Sequence, residues 1–288
     1  MLITMPLEIF TKEKDFPLHL QYGTHNADDC YIHGHADFSE LVVVLEGTAI
    51  HIAGEERYPI SKGDVFVVSK YTAHGFTEAE NIKICNIMFR PEEIFENIYN
   101  LRLTAGFQAL FVVEPQQLQS GRFESRMRLS SHDFAKADEC ICTMMKEYTE
   151  RREGWQTMVY SGFLSMCTEL SRSYEKCCSV SMGGAMKLAK AVAYIERNFS
   201  QDISIAGLSK IAGYSERQLT RLFTETFSET PVEYITRLRI RRASHLLRNT
   251  SEPVGEIAWQ CGFPDQNYFS RVFKKQTGHA PSLYRKIR

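Results

Sequence analysis

Two stretches near the C-terminal end repeat one pattern: residues 208–231 read LSKIAGYSERQLTRLFTETFSETP, and residues 257–281 read IAWQCGFPDQNYFSRVFKKQTGHAP. Arg, Phe and Pro recur 50 positions apart, whereas the central Gly recurs after 49, so the second copy has one extra residue just after its turn. A repeated unit says more about a fold than any single motif. The repeat therefore predicts two copies of one small helical unit.

Each copy has the pattern of a helix, a glycine-centred turn and a second helix. Gly213 and Gly262 stand where a positive φ closes the first helix. Ser215 and Asp265 can cap the second helix, whose core face we expect to include Tyr268. The opposite face is polar, with Arg217, Gln218, Thr220 and Arg221 in the first copy and Gln266, Asn267, Ser270 and Arg271 in the second. Such side chains near the start of a helix can reach base edges in the major groove.

A long helix is expected to join the two copies. Thr230, Pro231 and Glu233 form a capping box with Pro at the first helical position, and the apolar pattern continues to about Asn249. A rigid connection would place the two second helices in successive major grooves, about 34 Å apart. One chain would then contact two subsites. Candidate phosphate contacts along this helix are Arg237, Arg239, Arg241 and Arg242.

Residues 185–288 resemble the DNA-binding domain of the AraC/XylS family of bacterial transcription regulators. The matching residues are Cys261-Gly262-Phe263, the run from Tyr268 to Lys275, Gly278, and Pro281-Ser282-Leu283-Tyr284-Arg285. The resemblance implies two helix-turn-helix units, at about 204–227 and 254–277. It also implies base contacts by Arg217, Thr220 and Arg221 in the first unit and by Gln266, Asn267, Ser270 and Arg271 in the second.

The charge is divided unequally along the chain. Residues 185–288 hold 17 Lys and Arg against 9 Asp and Glu, whereas residues 1–184 hold 17 against 26. A basic domain on a chain with a net charge of −1 is typical of nucleic-acid binding. The acidic part is therefore expected to stay off the DNA.

The eight cysteines lack the paired CxxC spacing of a metal site. Cys177-Cys178 is a vicinal pair that could act as a redox switch, although free thiols are the ordinary state in a reducing cytoplasm. No signal peptide opens the chain, and no apolar run reaches the roughly 20 residues that span a bilayer. We expect a soluble cytoplasmic protein without a membrane partner.

The N-terminal part has the pattern of short strands. Leu41–Leu45 is a Val-rich run that we expect to end at Gly47, and Ala49–Ile52 follows as a separate strand. A turn leads into Val65–Val68, and a later strand covers about Ile82–Phe89. Strands with a turn about every ten residues predict a sandwich or barrel.

Within this part lie His33-Gly34-His35, Glu40 and His74. They resemble the cupin jelly-roll motif, in which His-x-His, a following Glu and a later His converge on a metal inside the barrel. The resemblance makes His33, His35, Glu40 and His74 candidate ligands of a first-row divalent metal. The sequence departs from the motif at Ala27, at Glu78 and in the residues before His74.

Three interpretations of these residues stay open: metal ligands, direct contacts to a polar effector, or ordinary core and strand-edge histidines. Regulators of the family that this chain resembles usually bind a small effector, often a sugar, without a metal, so we expect no cofactor. Residues 35–41 and 63–66 most resemble the rhamnose-responsive branch. A sugar pocket needs hydroxyl-binding groups and a stacking aromatic. The candidates are Tyr22, His33, His35, Glu40, His74 and Phe76.

The middle of the chain predicts helices of different quality. A helix follows Pro91, and the rest of the stretch to about residue 121 has a mixed, loop-like pattern. Apolar residues then recur at helical spacing from Asp133 to about Arg152 and again after Gly154. These two helices predict an antiparallel pair, which either dimerises the protein or only packs on the barrel.

The sequence therefore predicts a multidomain α+β protein, with an N-terminal cupin-like jelly-roll β-barrel, flanking helices and a C-terminal all-α domain. The expected parts are an effector-binding domain (1–131), a helical pair (132–178), a linker (179–184) and a DNA-binding domain (185–288). We expect a sequence-specific transcription activator, not an enzyme, whose partners are double-stranded promoter DNA, RNA polymerase, a sugar-like effector and a second copy of the chain. The alternative is a metal-dependent cupin enzyme, or a metal or redox sensor, fused to a DNA-binding domain.

Overall fold

A computed structural model describes residues 3–25, 31–96, 98, 100–119, 127–177 and 183–286. The chain divides into two compact units, Met1–Ala189 and Lys190–Arg288. Strands dominate the core of the first unit and helices make up the second, so the predicted α+β fold class is confirmed. Most of the expected linker at 179–184 lies outside the described residues.

The strands of the first unit form one eight-stranded sheet. They are β1 (Ile3–Met5), β2 (Leu18–His25), β3 (His33–His35), β4 (Ser39–Ala53), β5 (Glu56–Ser61), β6 (Asp64–Val68), β7 (His74–Phe89) and β8 (Met127–Arg128). Their order is β1-β3-β7-β4-β6-β8, with β2 paired to β7 and β5 paired to β4. Val42, Val44, Phe66 and Ile84 belong to the buried cluster inside this sheet. Apolar burial therefore sets which side chains point inward.

Gly47 lies inside a strand, although the sequence predicts that it ends one. β4 is 15 residues long and includes Gly47, and its pairing with β7 shifts register three times between Val44 and Ile50. Gly47 has a φ of +73°, and a Cβ there would lie 2.3 Å from the carbonyl oxygen of Asn81. The glycine thus bends β4 closely over β7 at a bulge, because any side chain would collide with the backbone.

The stretch after Pro91 is largely helical. It begins with the predicted helix, α1 (Pro91–Ile94), but the part expected to be loop-like contains α2 (Ala105–Phe107), a π-helix (Gln108–Val113) and α3 (Glu114–Gln119). The loop expectation is therefore wrong. A π-helix has a wider turn than an α-helix, so its buried residues fall out of the 3.6-residue period that sequence patterns detect.

Two long helices complete the first unit, α4 (Ser131–Glu150) and α5 (Trp155–Cys177). They pack antiparallel, as predicted. A Cβ on Gly162 would lie 2.7 Å from Cγ of Met144, so the two helices approach closely. Tyr148 of α4 contacts Nδ1 of His19 on β2 through its hydroxyl at 2.8 Å. The pair therefore packs on the sheet.

The second unit is helical. α6 (Gly184–Asn198) crosses the division between the units, and the following helices are α7 (Ile205–Ala212), α8 (Glu216–Phe227), α9 (Pro231–Asn249), α10 (Val254–Gln260), α11 (Gln266–Thr277) and α12 (Pro281–Tyr284). Ile257, Phe269 and Phe273 of the second copy pack against Leu246 and Leu247 of α9. In the described part of the chain, no helix is long and apolar enough to cross a membrane.

Candidate DNA interface and barrel site

The first helix-turn-helix unit consists of α7, a turn at Gly213 and α8. Gly213 closes α7 with a φ of +68°. Ser215 caps α8, because its hydroxyl accepts a hydrogen bond from the backbone N–H of Gln218 at 3.2 Å. Leu219 and Phe223 are completely buried. These anchors fix which face of α8 points to solvent, and the predicted turn and cap are confirmed.

The solvent face of α8 carries the polar residues expected to contact bases. Arg217, Gln218 and Arg221 are exposed, and Thr220 is half-buried. The guanidinium of Arg221 donates to the Glu225 carboxylate one turn later, at 3.1 Å. Arg221 is therefore already partly neutralised within its own helix.

The second helix-turn-helix unit, formed by α10 and α11, repeats this geometry with one more residue in its turn. Gly262 has a φ of +84°, and the backbone N–H of Phe263 closes the turn on the carbonyl of Ala258. Pro264 is then the extra residue before Asp265, whose carboxylate accepts from the backbone N–H of Tyr268 at 2.5 Å. The change of spacing from 49 to 50 residues thus lies between the turn and the cap.

On α11, Gln266, Asn267 and Arg271 are exposed and Ser270 is half-buried, matching the corresponding face of α8. Tyr268 departs from the expectation, because it is 45% exposed instead of lying in the core. Its ring leans on Phe263, with 6.1 Å between centroids. The first turn of α11 therefore presents an aromatic ring as well as amides.

α9 connects the two helix-turn-helix units and packs against both. The Thr230 hydroxyl accepts from the backbone N–H of Glu233, and the Glu233 carboxylate accepts from that of Thr230, which completes the predicted capping box. Arg239 donates to the carbonyls of Phe199 and Gln201 at 2.6 and 2.8 Å. The guanidinium of Arg239 is thus used inside the domain, which makes it a poor candidate for phosphate contact.

Both recognition surfaces have the chemistry for reading DNA. Arg can donate two hydrogen bonds to guanine, and Gln or Asn can pair with adenine in the major groove. The helices carry these groups in their first two turns, and their apolar sides are buried. The arrangement supports base contact from α8 and α11.

Three histidines of the N-terminal unit (Met1–Ala189) lie close together. His33 of β3 pairs directly with His74 of β7, and His35 lies two residues along β3. One ring nitrogen of each lies within 4.8 Å of those of the other two. Nε2 of His74 is 3.1 Å from Nε2 of His35 and 3.6 Å from Oε2 of Glu40 on β4. The four candidate metal ligands are thus brought together.

Burial removes the charge from two members of this group, His35 and Glu40. Burial, and to a smaller degree the nearby His33, lowers the pKa of His35 to about 3. Burial also raises the pKa of Glu40 to about 8. At neutral pH, His35 is therefore neutral and Glu40 is mostly protonated. Without a cation, these two side chains act as uncharged donors and acceptors.

The group fits a divalent cation. Oε2 of Glu40, which faces His74, is buried without a hydrogen-bond partner, which is costly unless a ligand compensates. Neighbouring ligand atoms in a tetrahedral zinc site, with bonds near 2.1 Å, lie about 3.4 Å apart. The measured separations of 3.1 and 3.6 Å fall on either side of that value.

The two aromatic candidates lie in different places. Phe76 is buried, with its ring centroid 6.3 Å from that of His74. Tyr22 is 41% exposed and lies beside Cys142 of α4, where burial and the Cys142 thiol raise its pKa to about 12. The structure therefore brings five of the six candidate effector residues together and leaves Tyr22 outside.

Sequence reasoning missed His51 and Tyr58. His51 of β4 is completely buried, with Nε2 3.3 Å from Nδ1 of His74. Its other ring nitrogen contacts the hydroxyl of Tyr58, the paired residue on β5. Ala49, His51 and Ala53 of β4 are buried, but in the sequence Ile50 and Ile52 are the large apolar residues that alternate, so the pattern gave no signal that His51 points inward.

The vicinal cysteines give no further support to a redox switch. Cys177 is exposed at the end of α5, with Sγ 3.7 Å from the carbonyl oxygen of Arg128. Cys178 lies outside the described residues, so the pair stays a sequence-based prediction.

Two protein families match the chain in separate regions. The family described as an AraC-like ligand binding domain matches residues 20–140. The family described as a helix-turn-helix domain matches residues 208–287. The first match covers the His cluster, and the second covers both recognition helices.

Similar proteins extend over most of the chain. The HTH-type transcriptional activator RhaS of Enterobacter sp. (strain 638) is 29% identical over 258 residues, 88% of this chain and 87% of that protein. The HTH-type transcriptional activator RhaR of Mannheimia succiniciproducens is 26% identical over 254 residues, 88% of this chain and 86% of that protein. A solved transcriptional regulator with an AraC-type DNA-binding domain, from Chromobacterium violaceum, is 32% identical, covers 37% of this chain and 95% of its own, and has a TM-score of 0.34.

Proposed function

This chain belongs to the AraC family of transcription regulators, and on that basis we propose that it is a sequence-specific DNA-binding activator controlled by a small effector. The observation that carries the proposal is the duplicated recognition helix: two capped helices expose Arg221 and Arg271 at equivalent positions, and each also exposes amide side chains in its first turn. The effector binds the first unit. By binding one conformation more tightly, it shifts the population of the protein toward that state.

The DNA part is tested by selecting bound sequences from random double-stranded DNA with the purified full-length chain. We expect an enriched sequence with two elements about 10–10.5 base pairs apart, since α8 and α11 would enter successive major grooves. Affinity should fall steeply with salt, because phosphate contacts release counterions. A selection that enriches no sequence at any salt concentration would refute the DNA-binding proposal.

The effector is a small carbohydrate in this proposal. Support comes from the resemblance of residues 35–41 and 63–66 to the rhamnose-responsive branch, and from buried histidines beside Phe76 that suit hydroxyl contacts and stacking. Thermal unfolding should be followed with L-rhamnose, other monosaccharides and uronic acids. A ligand at 100 times its dissociation constant stabilises the native state by about 2.7 kcal/mol. If none of these compounds raises the unfolding temperature, the carbohydrate assignment fails.

Further partners follow from the same proposal. The protein acts in the cytoplasm as a homodimer, and RNA polymerase is its partner at the promoter. Support for a dimer surface comes from the outer faces of α4 and α5, which leave Met158 50% exposed. Sedimentation of the purified chain tests the dimer directly, and a monomer at micromolar concentration would refute it.

A second candidate effector is a divalent transition metal. Its support is the grouping of His33, His35 and His74 around the buried carboxyl of Glu40. A bound ion would act as a Lewis acid held by these side chains, and His and carboxylate ligands suit zinc, iron, nickel or manganese. Metal analysis of the purified chain, before and after a chelator, tests this. His19→Ala is the matched control for a His substitution within the group, since His19 is half-buried beside Tyr148, outside the group, and its loss should leave the metal content unchanged.

A further inference from the structure

A polar chain leads from the His cluster to the edge of the sheet through His51 and Tyr58. Nδ1 of His74 lies 3.3 Å from Nε2 of His51, and Nδ1 of His51 contacts the Tyr58 hydroxyl. The ring of His51 is held between Phe66 and Phe76, with centroids 4.5 and 5.1 Å away. His51 is therefore fixed in position and joins His74 to Tyr58.

This chain of three side chains allows two arrangements of hydrogens. In the first, His74 donates from Nδ1 to Nε2 of His51, and His51 donates from Nδ1 to the Tyr58 oxygen. In the second, the Tyr58 hydroxyl donates to His51, and His51 donates from Nε2 to Nδ1 of His74. The first leaves a lone pair on Nε2 of His74, whereas the second places a hydrogen there.

The surroundings of His74 favour the first arrangement. Nε2 of His74 faces Nε2 of His35 at 3.1 Å. If His74 carries its hydrogen on Nε2, His35 must accept there and carry its own hydrogen on Nδ1, an atom buried without a partner. If His74 presents a lone pair, His35 donates to it and its Nδ1 is only an unused acceptor. A buried N–H without an acceptor is the rarer and more costly case.

We propose that His51 and Tyr58 are positioning residues that hold His74 with its hydrogen on Nδ1 and its Nε2 lone pair directed toward His35 and Glu40. The inference deepens the proposed function and rests on the barrel being the effector site. It narrows the ligand to a group that accepts the lone pair in place of the His35 N–H, namely a metal ion or a donating hydroxyl. A carbonyl or carboxylate oxygen would meet a lone pair and be repelled.

The tautomer of His74 can be measured without knowing the ligand. Long-range ¹⁵N–¹H spectra of chain labelled at its nine histidines separate ring nitrogens with and without hydrogen, and His74→Gln assigns the signal. We expect hydrogen on Nδ1 and a lone pair on Nε2 in the full-length parent. The opposite assignment overturns the inference, whatever the barrel binds.

Tyr58→Phe tests the positioning role, because it removes the acceptor of His51 and keeps the ring. We expect the His74 signals to shift toward a mixture of tautomers. The matched control is Tyr148→Phe, which removes a second Tyr–His contact, to His19, outside the cluster. If Tyr58→Phe leaves the His74 signals as in the parent, Tyr58 has no such role.

Titration with Zn²⁺ and with L-rhamnose separates this inference from the proposed function. Loss of a partner that orients a metal-binding His lowers metal affinity about 10–100-fold, so Tyr58→Phe should weaken Zn²⁺ binding by that factor and Tyr148→Phe should not. A parent that binds Zn²⁺ as tightly as the Tyr58→Phe variant contradicts the inference alone. A parent that binds neither Zn²⁺ nor any sugar contradicts the effector proposal, and the tautomer measurement still decides the role of His51.

Discussion

The two recognition helices, α8 and α11, bury large apolar side chains at the same two positions and differ in charge on the sides that face solvent. Leu219 and Phe223 of α8 correspond to Phe269 and Phe273 of α11, and all four are completely buried. The exposed sides diverge in charge: α8 contains two Arg and two Glu, whereas α11 contains one Arg, two Lys and no acidic residue. The repeated core keeps the fold, and the outer residues are free to specialise.

This difference in charge predicts different roles for the two helices on DNA. Arg221 of α8 is held by Glu225, while the residue that follows Arg271 by the same interval is Lys275. A cationic helix gains affinity from any phosphate, whatever the sequence. We therefore expect α11 to contribute more of the salt-dependent affinity and α8 to depend more on base contacts.

The largest expected effect separates the two turn glycines. Gly213→Ala should cost about 1–2 kcal/mol, the strain of a left-handed residue, because nothing lies within 4 Å of the added Cβ. Gly262→Ala should cost about 1–3 kcal/mol more, because its Cβ would lie 2.6 Å from the Ser200 carbonyl oxygen and 3.0 Å from Nε of Arg239. Urea unfolding of the C-terminal unit (Lys190–Arg288), followed in the full-length chain, measures both losses of stability.

Trp259 reports this transition in a Trp155→Phe background, since the chain contains two Trp residues. The background variant without a glycine substitution is the control. Equal losses of stability for the Gly213→Ala and Gly262→Ala variants would mean that the two turns are packed alike. That result would contradict the close approach of Gly262 to the Ser200 carbonyl.

The next largest effect concerns the two arginines. Arg271→Ala should weaken specific DNA binding by about 1–3 kcal/mol and relax specificity at one base pair. Arg221→Ala should cost less DNA-binding free energy. In the free protein Arg221 pairs with Glu225, and it must give up that pair to bind DNA. Exposed pairs of this kind contribute about 0.2–1 kcal/mol, which offsets part of what Arg221 gains on DNA. Electrophoretic or fluorescence titration against the selected operator measures both variants.

A reversed order, with Arg221→Ala more harmful, would show that α8 supplies the dominant contact despite its internal ion pair. Lys210→Ala is a suitable control, since Lys210 lies on α7 outside the recognition faces.

The helical unit was predictable from sequence because its signals are local. A turn glycine, a capping Ser or Asp and an apolar face at helical spacing all lie within about 25 residues, and each acts through neighbours in the chain. The structure confirms Ser215 and Asp265 as caps and Thr230 with Glu233 as a capping box. Tyr268 was misplaced because period alone does not separate the edge of an apolar face from its centre.

The barrel site was only partly predictable because its partners are distant in sequence. His33, His35, Glu40 and His74 are predicted from their resemblance to the spacing of the cupin motif, not from their contacts. His51 was missed because it fits an ordinary strand alternation, and its importance depends on the register that places it beside Tyr58 and His74. Tyr22 was included for its ring alone, and the register of β2 on β7 turns it toward α4.

The smallest expected effect tests the charge comparison most directly. Glu225→Gln should raise DNA affinity by about 0.3–0.5 kcal/mol, because it releases Arg221 from an i,i+4 pair and removes a negative charge from the DNA-facing helix. Lys275→Gln on α11 should do the opposite and reduce the slope of log affinity against log salt by about 0.9. Titrations at several salt concentrations measure both. If Glu225→Gln leaves affinity and slope unchanged, Glu225 already turns away from Arg221 in the complex, and the two helices are electrically more alike on DNA than in the free protein.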